Sequence, residues 1–200
     1  MAFAGKRLGL AASCFAVTVL AGCATAPGGG ASVAPQTSPL KLCKGFTVRN
    51  APATDKAGRV ANFSPYIKVR GKRLASAPVR GCLTTGFGDR HRRIDLPNRL
   101  HEGIDIAPGG KVPVGAGGTG VVSAVTSARG YGRYVDIDHG NGVVTRYAHL
   151  SSVSANVRPG RRVNAGSAIG RAGASGNASG VHFHYEIRVD GRAINPLQSR

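Results

Sequence analysis

Chemistry in this chain concentrates on histidine. Four of its six histidines fall in three short motifs. The densest is Val181-His182-Phe183-His184-Tyr185-Glu186-Ile187-Arg188-Val189. Side chains alternate between the two faces of a strand, so Phe183, Tyr185, Ile187 and Val189 form an apolar face, while His182, His184, Glu186 and Arg188 share the other. Two imidazoles at i and i+2 stand roughly 6–7 Å apart and can address one site. One can ligate a metal while the other works beside it. An outward polar face with two unconnected histidines gives the same pattern, so the motif alone is only moderately specific.

The second motif is Leu100-His101-Glu102-Gly103-Ile104-Asp105-Ile106-Ala107. Read as a strand, it puts His101, Gly103 and Asp105 on one face and sends Ile104 and Ile106 to the core. The i, i+4 spacing also suits one face of a helix, but Gly103 and the β-branched Ile pair argue against helix. One imidazole and one carboxylate here, with one histidine of the His-x-His pair, make a His₂Asp set. Three protein ligands with a fourth position open is the pattern of a catalytic zinc, whereas a structural zinc is closed by four ligands. The residues alone leave open which of His182 and His184 would ligate. The third motif, Tyr147-Ala148-His149-Leu150, ends an apolar run. His149 there suits a general base or an oxyanion stabiliser, or a satisfied structural histidine. His91 and His139 have no nameable partner and read as solvated.

Strands must position these residues. Short apolar runs alternate with turns from Gly81 onward: Val112–Val114, Gly120–Val125, Tyr134–Asp138, Val143–Leu150, Ala168–Gly170 and Val181–Val189. His139-Gly140-Asn141-Gly142 between two of them is a hairpin signal. No window sustains a 3.6-residue period. The expected fold is all-β, a compact antiparallel domain over 81–200, preceded by a basic, turn-rich wrapping segment at 43–80 whose one alternating stretch is Tyr66–Arg70. Thirty glycines and eleven prolines without a Gly-X-Y period exclude collagen. Twenty-seven Lys and Arg against nine Asp and Glu give a net charge of +18, which excludes an acidic tail protein and invites an anionic partner. Nucleic acid is not the expected partner, because no binding motif accompanies the charge.

The N-terminus reads as an address. Lys6 and Arg7 precede an uncharged stretch, Leu8–Gly22, shorter than the roughly 20 residues a spanning helix needs and built like a secretory signal. Leu20-Ala21-Gly22-Cys23 resembles a bacterial lipobox, which implies lipidation of Cys23 and cleavage of residues 1–22. Ala24 in place of Asp implies the outer membrane, with the protein facing the periplasm. Residues 24–41 are almost all Gly, Ala, Pro, Ser and Thr and predict a flexible tether over 23–42. With Cys14 in the signal and Cys23 lipidated, Cys43 and Cys82 remain, and an oxidising compartment makes their disulfide the default. A Cys82 nucleophile paired with a histidine is the alternative.

The order His-x-x-x-Asp, then Tyr-Ala-His-Leu, then His-x-His resembles the lysostaphin-type or LytM-domain zinc metallopeptidases, which cleave peptide bonds in peptidoglycan. The likeness includes Gly86-Phe87-Gly88-Asp89-Arg90, Gly130-Tyr131-Gly132, Val135-Asp136-Ile137-Asp138-His139-Gly140 and Ile194-Asn195-Pro196, and covers about residues 82–197. It implies a small antiparallel β-sheet groove with Zn²⁺ on its floor. His101, Asp105 and His184 would hold the metal, and His149 and His182 would be the unligated catalytic pair. Some members carry a tyrosine shortly before the first ligand. Arg92–Leu100 has none, so oxyanion help from that position is not expected. No His-Glu-x-x-His occurs, so histidine replaces the glutamate base of those proteases. The expected activity is a zinc-dependent peptidoglycan endopeptidase, with peptidoglycan as partner, the membrane reached through the lipid on Cys23, and no obligate protein partner. The alternative is a non-catalytic LytM-domain regulator of cell-wall amidases or division. Retention of all five site residues favours catalysis.

Overall fold

A computed structural model describes Met1 and residues 31–45, 47–89 and 100–198. The signal stretch, Cys14, Cys23 and His91 lie outside these residues. The described residues form sixteen strands and no helix. In chain order they are β1 (Lys41–Leu42), β2 (Tyr66–Val69), β3 (Lys72–Ala75), β4 (Cys82–Thr85), β5 (Gly88–Asp89), β6 (Leu100–His101), β7 (Ile104–Ala107) and β8 (Pro113–Gly115). They continue with β9 (Gly120–Ala128), β10 (Gly132–Gly140), β11 (Val143–Ala148), β12 (Ser152–Val153), β13 (Arg162–Val163), β14 (Ala168–Arg171), β15 (Phe183–Val189) and β16 (Arg192–Ile194). The main sheet runs β1-β4-β7-β15-β11-β10-β9-β13, with β16 on β15. It is antiparallel except for the β1–β4 pair. β12-β14-β8 form a three-stranded sheet, and β2-β3 and β5-β6 are two-stranded.

The hairpin signal at residues 139–142 closes β10 onto β11. Gly140 pairs with Val143, leaving Asn141 and Gly142 in the turn with φ of 57° and 71°. Both central residues are left-handed, as a type I′ turn requires and as Asn-Gly permits. At the other end of the sheet, β9 turns into β10 through Arg129-Gly130-Tyr131. Tyr131, the end of β11 and the start of β15 therefore meet at that end. The alternation predicted for 181–189 places Phe183, Tyr185 and Ile187 in the core with no solvent exposure, each such side chain contributing about 1.5–3 kcal/mol. The buried tyrosine hydroxyls are satisfied: Tyr185 Oη donates to the Ala75 carbonyl at 3.0 Å, and Tyr147 Oη accepts from the Gly117 N–H at 2.7 Å.

Three sequence expectations are corrected. The tether predicted over 23–42 does not extend through its described part. Val33 N–H donates to Gly166 O and Gln36 N–H to Ala77 O, Leu40 is fully buried, and Lys41–Leu42 is β1. Backbone pairing with the domain orders a composition that cannot order itself. The strand expected through 100–107 is broken into β6 and β7. A Cβ on Gly103 would lie 2.2 Å from the Tyr185 carbonyl oxygen, so the chain passes β15 there as closely as glycine allows. His139, read as solvated, is buried. Its Nδ1–H donates to Thr119 O at 2.9 Å, and Nε2 lies 2.8 Å from Thr145 Oγ1. Residues 43–80 share the domain's core through Val60, Ile67, Val69 and Leu74.

Cys43 and Cys82 are bonded across 39 positions of sequence, beside the β1–β4 pairing. Closing a loop of that size removes unfolded-state entropy worth about 4 kcal/mol. The Cys43→Ser/Cys82→Ser variant is expected to lose stability of that order in urea denaturation, while a midpoint equal to that of the oxidised parent would contradict this.

Candidate functional site

β6, β7 and β15 bring together three side chains that could hold a metal ion. Asp105 and His184 are register partners on β7 and β15, and His101 reaches them from β6. His184 Nδ1 is 2.7 Å from Asp105 Oδ1, and His101 Nε2 is 3.2 Å from both Asp105 Oδ1 and His184 Nδ1. All three residues are buried. Burial alone would push the Asp105 carboxyl up, but hydrogen bonds from His101 and His184 outweigh it and hold it well below the usual carboxylate range. Burial likewise opposes the charged form of His184, yet Asp105 and Glu186 push its pKa up to about 9.

Each imidazole is held by its far nitrogen. His101 Nδ1–H donates to the Gly86 carbonyl at 2.6 Å, and His184 Nε2–H to Glu186 Oε1 at 3.0 Å. His101 Nε2 and His184 Nδ1 are thereby the nitrogens that face Asp105. The donor atoms of the three residues lie within 4.8 Å of one another. Two imidazoles and one carboxylate at this separation fit a divalent zinc with room for a further ligand.

His149 and His182 stand beside this set, their ring centroids 4.6 Å apart, and His149 lies 5.8 Å from His184. His149 follows the end of β11 in a left-handed conformation, φ 58°, an uncommon geometry for a residue with a side chain. Its Nδ1–H donates to Ser175 O at 2.8 Å, and that of His182 to Gly180 O at 2.9 Å. Among the described residues neither Nε2 has a hydrogen-bond partner, so each can accept a proton. Burial lowers the His149 pKa to about 4, against the hydrogen bond to Ser175. The imidazole is neutral at pH 7. In the metal-free protein its NMR titration midpoint is expected near pH 4, and a midpoint near 6.5 would contradict this environment.

Sequence reasoning missed three residues here. Glu186 was only a member of a polar face, yet it is fully buried under His184. Arg188 Nη1 donates to Glu186 Oε2 at 2.6 Å. Tyr131, noted only as part of the Gly130-Tyr131-Gly132 likeness, lines the cleft with its ring 5.8 Å from that of His184 and donates to Glu102 Oε2 at 2.9 Å. Burial and the Glu186 and Glu102 carboxylates raise its pKa to about 12, so it stays protonated. The glycines flanking Tyr131 signalled the turn, and nothing signalled its place. The cleft of about 440 Å³ is also lined by Leu100, Ala128 and Asn177. A larger cavity, about 910 Å³, lies away from the site among residues 32–35, 71–75 and 138–140.

Residues 99–196, which span the whole ligand set and the histidine pair, match peptidase family M23. This stretch is an M23 peptidase domain. The chain is 41% identical over 115 residues to the DD-carboxypeptidase/endopeptidase Mpg of Neisseria meningitidis, covering 58% of this chain and 26% of that protein. It is 40% identical over 99 residues to the peptidoglycan DD-endopeptidase ShyA of Vibrio cholerae, covering 50% of this chain and 23% of that protein. The chain thus spans about a quarter of the length of these relatives. A zinc-containing peptidase from Vibrio cholerae shares the fold with a TM-score of 0.60 and 27% identity, over 71% of this chain and 48% of that one. The M23 fold of mostly antiparallel β-sheet, expected from the lysostaphin and LytM resemblance, is the fold of this chain. The polar residues that line its cleft are His101, Glu102, Tyr131, His149, Asn177, His184 and Glu186.

Proposed function

We propose that this protein is a zinc-dependent peptidoglycan endopeptidase that hydrolyses peptide cross-links or stems of the cell wall. The observation that carries the reading is the convergence of His101 Nε2, Asp105 Oδ1 and His184 Nδ1 beside two histidines outside that set whose Nε2 atoms have no partner among the described residues. Likeness to the peptidoglycan DD-endopeptidase ShyA, and to the DD-carboxypeptidase/endopeptidase Mpg, supports the substrate class. Zinc in such a site supplies Lewis acidity, polarising a carbonyl and acidifying water toward neutral pH.

The rest of the chemistry falls to the chain. His149 and His182 divide two tasks: one accepts the proton of the attacking water at Nε2 and returns it to the leaving amine, and the other donates to the oxyanion as it develops. The hydrogen bonds from Nδ1 to Ser175 and Gly180 fix the tautomer that permits this. Tyr131, protonated and close to His184, forms part of the cleft wall. The net charge of +18 favours approach to an anionic wall. Digestion of purified sacculi with mass identification of the fragments tests the activity. Free stem peptides or uncrosslinked muropeptides are expected. Stimulation of an amidase without any fragment of its own would instead identify a regulator.

The lipobox-like Leu20-Ala21-Gly22-Cys23 supports an outer-membrane lipoprotein facing the periplasm. Cys23→Ser is expected to leave the protein unlipidated and to release it from the outer-membrane fraction. Unchanged fractionation would refute the anchor.

A further inference from the structure

We propose that Glu186 is a positioning residue for the metal ligand His184, and that its negative charge strengthens His184 as a ligand. The inference rests on the zinc-site reading above and concerns how that site is built. Glu186 sits two residues beyond His184 on β15, on the same face of the strand, and is fully buried. A carboxylate taken out of water costs several kcal/mol unless it is paired. Its two oxygens are spent on two partners. Oε1 accepts from His184 Nε2–H at 3.0 Å, and Oε2 accepts from Arg188 Nη1 at 2.6 Å. Arg188 reaches on to Glu102 at 3.4 Å, and Glu102 is held by Tyr131 at 2.9 Å. The carboxylate is therefore fixed from behind by residues of the cleft wall.

The consequence falls on His184. An imidazole on a strand has two ring orientations, and only one points Nδ1 at Asp105 and His101. A fixed acceptor at Nε2 selects that orientation and removes the rotational freedom that metal binding would otherwise have to overcome. An anionic acceptor also increases electron density on the ring, which makes Nδ1 a better donor to a cation. His101 makes the comparison within the same site. Its far nitrogen is held by the Gly86 carbonyl at 2.6 Å, a neutral acceptor. One ligand is oriented by a neutral group, the other by a charged one, and only the second can be tuned by changing charge at constant shape.

The test is zinc affinity, measured by competition with a chromophoric chelator at fixed pH on the full chain and on Glu186→Gln and Glu186→Ala. Glu186→Ala is expected to bind zinc about 10–100-fold more weakly, the range found when such supporting groups are removed. Glu186→Gln retains an acceptor oxygen without the charge and is expected to stay folded, with a lower melting temperature from the lost Arg188 pair, and to bind zinc with an affinity between parent and Ala. A loss of affinity graded by the acceptor at His184 Nε2 among folded variants separates positioning from mere structural support. If Glu186→Ala does not fold, the near-isosteric Gln variant decides. Zinc affinity of folded Glu186→Gln equal to the parent's overturns the proposal. A parent that binds no zinc overturns the metal site and this proposal together. A parent that binds zinc but cleaves nothing refutes the endopeptidase reading while the Glu186 assignment stands on the affinities.

Discussion

His149→Ala and His182→Ala are expected to keep their zinc and lose cleavage of peptidoglycan. Neither ring contributes to the ligand set: each donates Nδ1–H to a carbonyl, and among the described residues its Nε2 has no partner. Removing a general acid–base group costs about 10²–10⁴ in rate, and removing an oxyanion donor about 10²–10³. The double variant should fall by less than the product of the two single losses, because both groups act on one transition state. His182 is the sharper case. It stands just outside β15, bridged to Gly173, with its ring held at the Gly180 carbonyl. Zinc lost from His182→Ala but kept by His184→Ala would reverse the assignment within the His-x-His pair. Full cleavage by both single variants would remove the catalytic pair.

The second large effect falls on the metal. His101→Ala, Asp105→Ala and His184→Ala are each expected to abolish stoichiometric zinc binding in the purified protein. Asp105 carries most of the electrostatic burden. It is the anionic ligand, buried, and held ionised by its two histidine neighbours. Both Asp105→Ala and Asp105→Asn remove the charge, but Asn keeps an amide oxygen that can ligate, so Asp105→Ala should reduce affinity further than Asp105→Asn. Zinc analysis of each variant beside the parent is the check. One zinc per chain in all three Ala variants would place the metal elsewhere.

Much of this site was legible in the sequence because strands translate spacing into faces. Alternation in 181–189 separated the core residues Phe183, Tyr185 and Ile187 from the histidines. The Asn141-Gly142 turn announced the β10–β11 hairpin. The His101 and Asp105 argument rested on strand parity and met a different geometry. The chain breaks at Gly103, and the two side chains converge because β6 and β7 both fold toward β15. What sequence reasoning could not supply were contacts set by burial. Glu186 reads as surface until Tyr131 and Arg188 cover it, and both are placed by tertiary packing. His139 finds Thr119 and Thr145 only once β9, β10 and β11 align. Residues 31–42 have the composition of a tether, and their order comes from backbone partners at Ala77 and Gly166. Which histidine of the pair ligates depends on ring orientation, which two-residue periodicity does not contain.

The central claim is that metal at His101, Asp105 and His184 drives cleavage of wall peptides. Its most direct test is digestion of purified sacculi by the protein as isolated, after chelator treatment, and after zinc is restored. The expected result is release of peptide-cleaved fragments, abolished by chelator and recovered with zinc. Fragments released equally with and without chelator, or none under any condition, would contradict it.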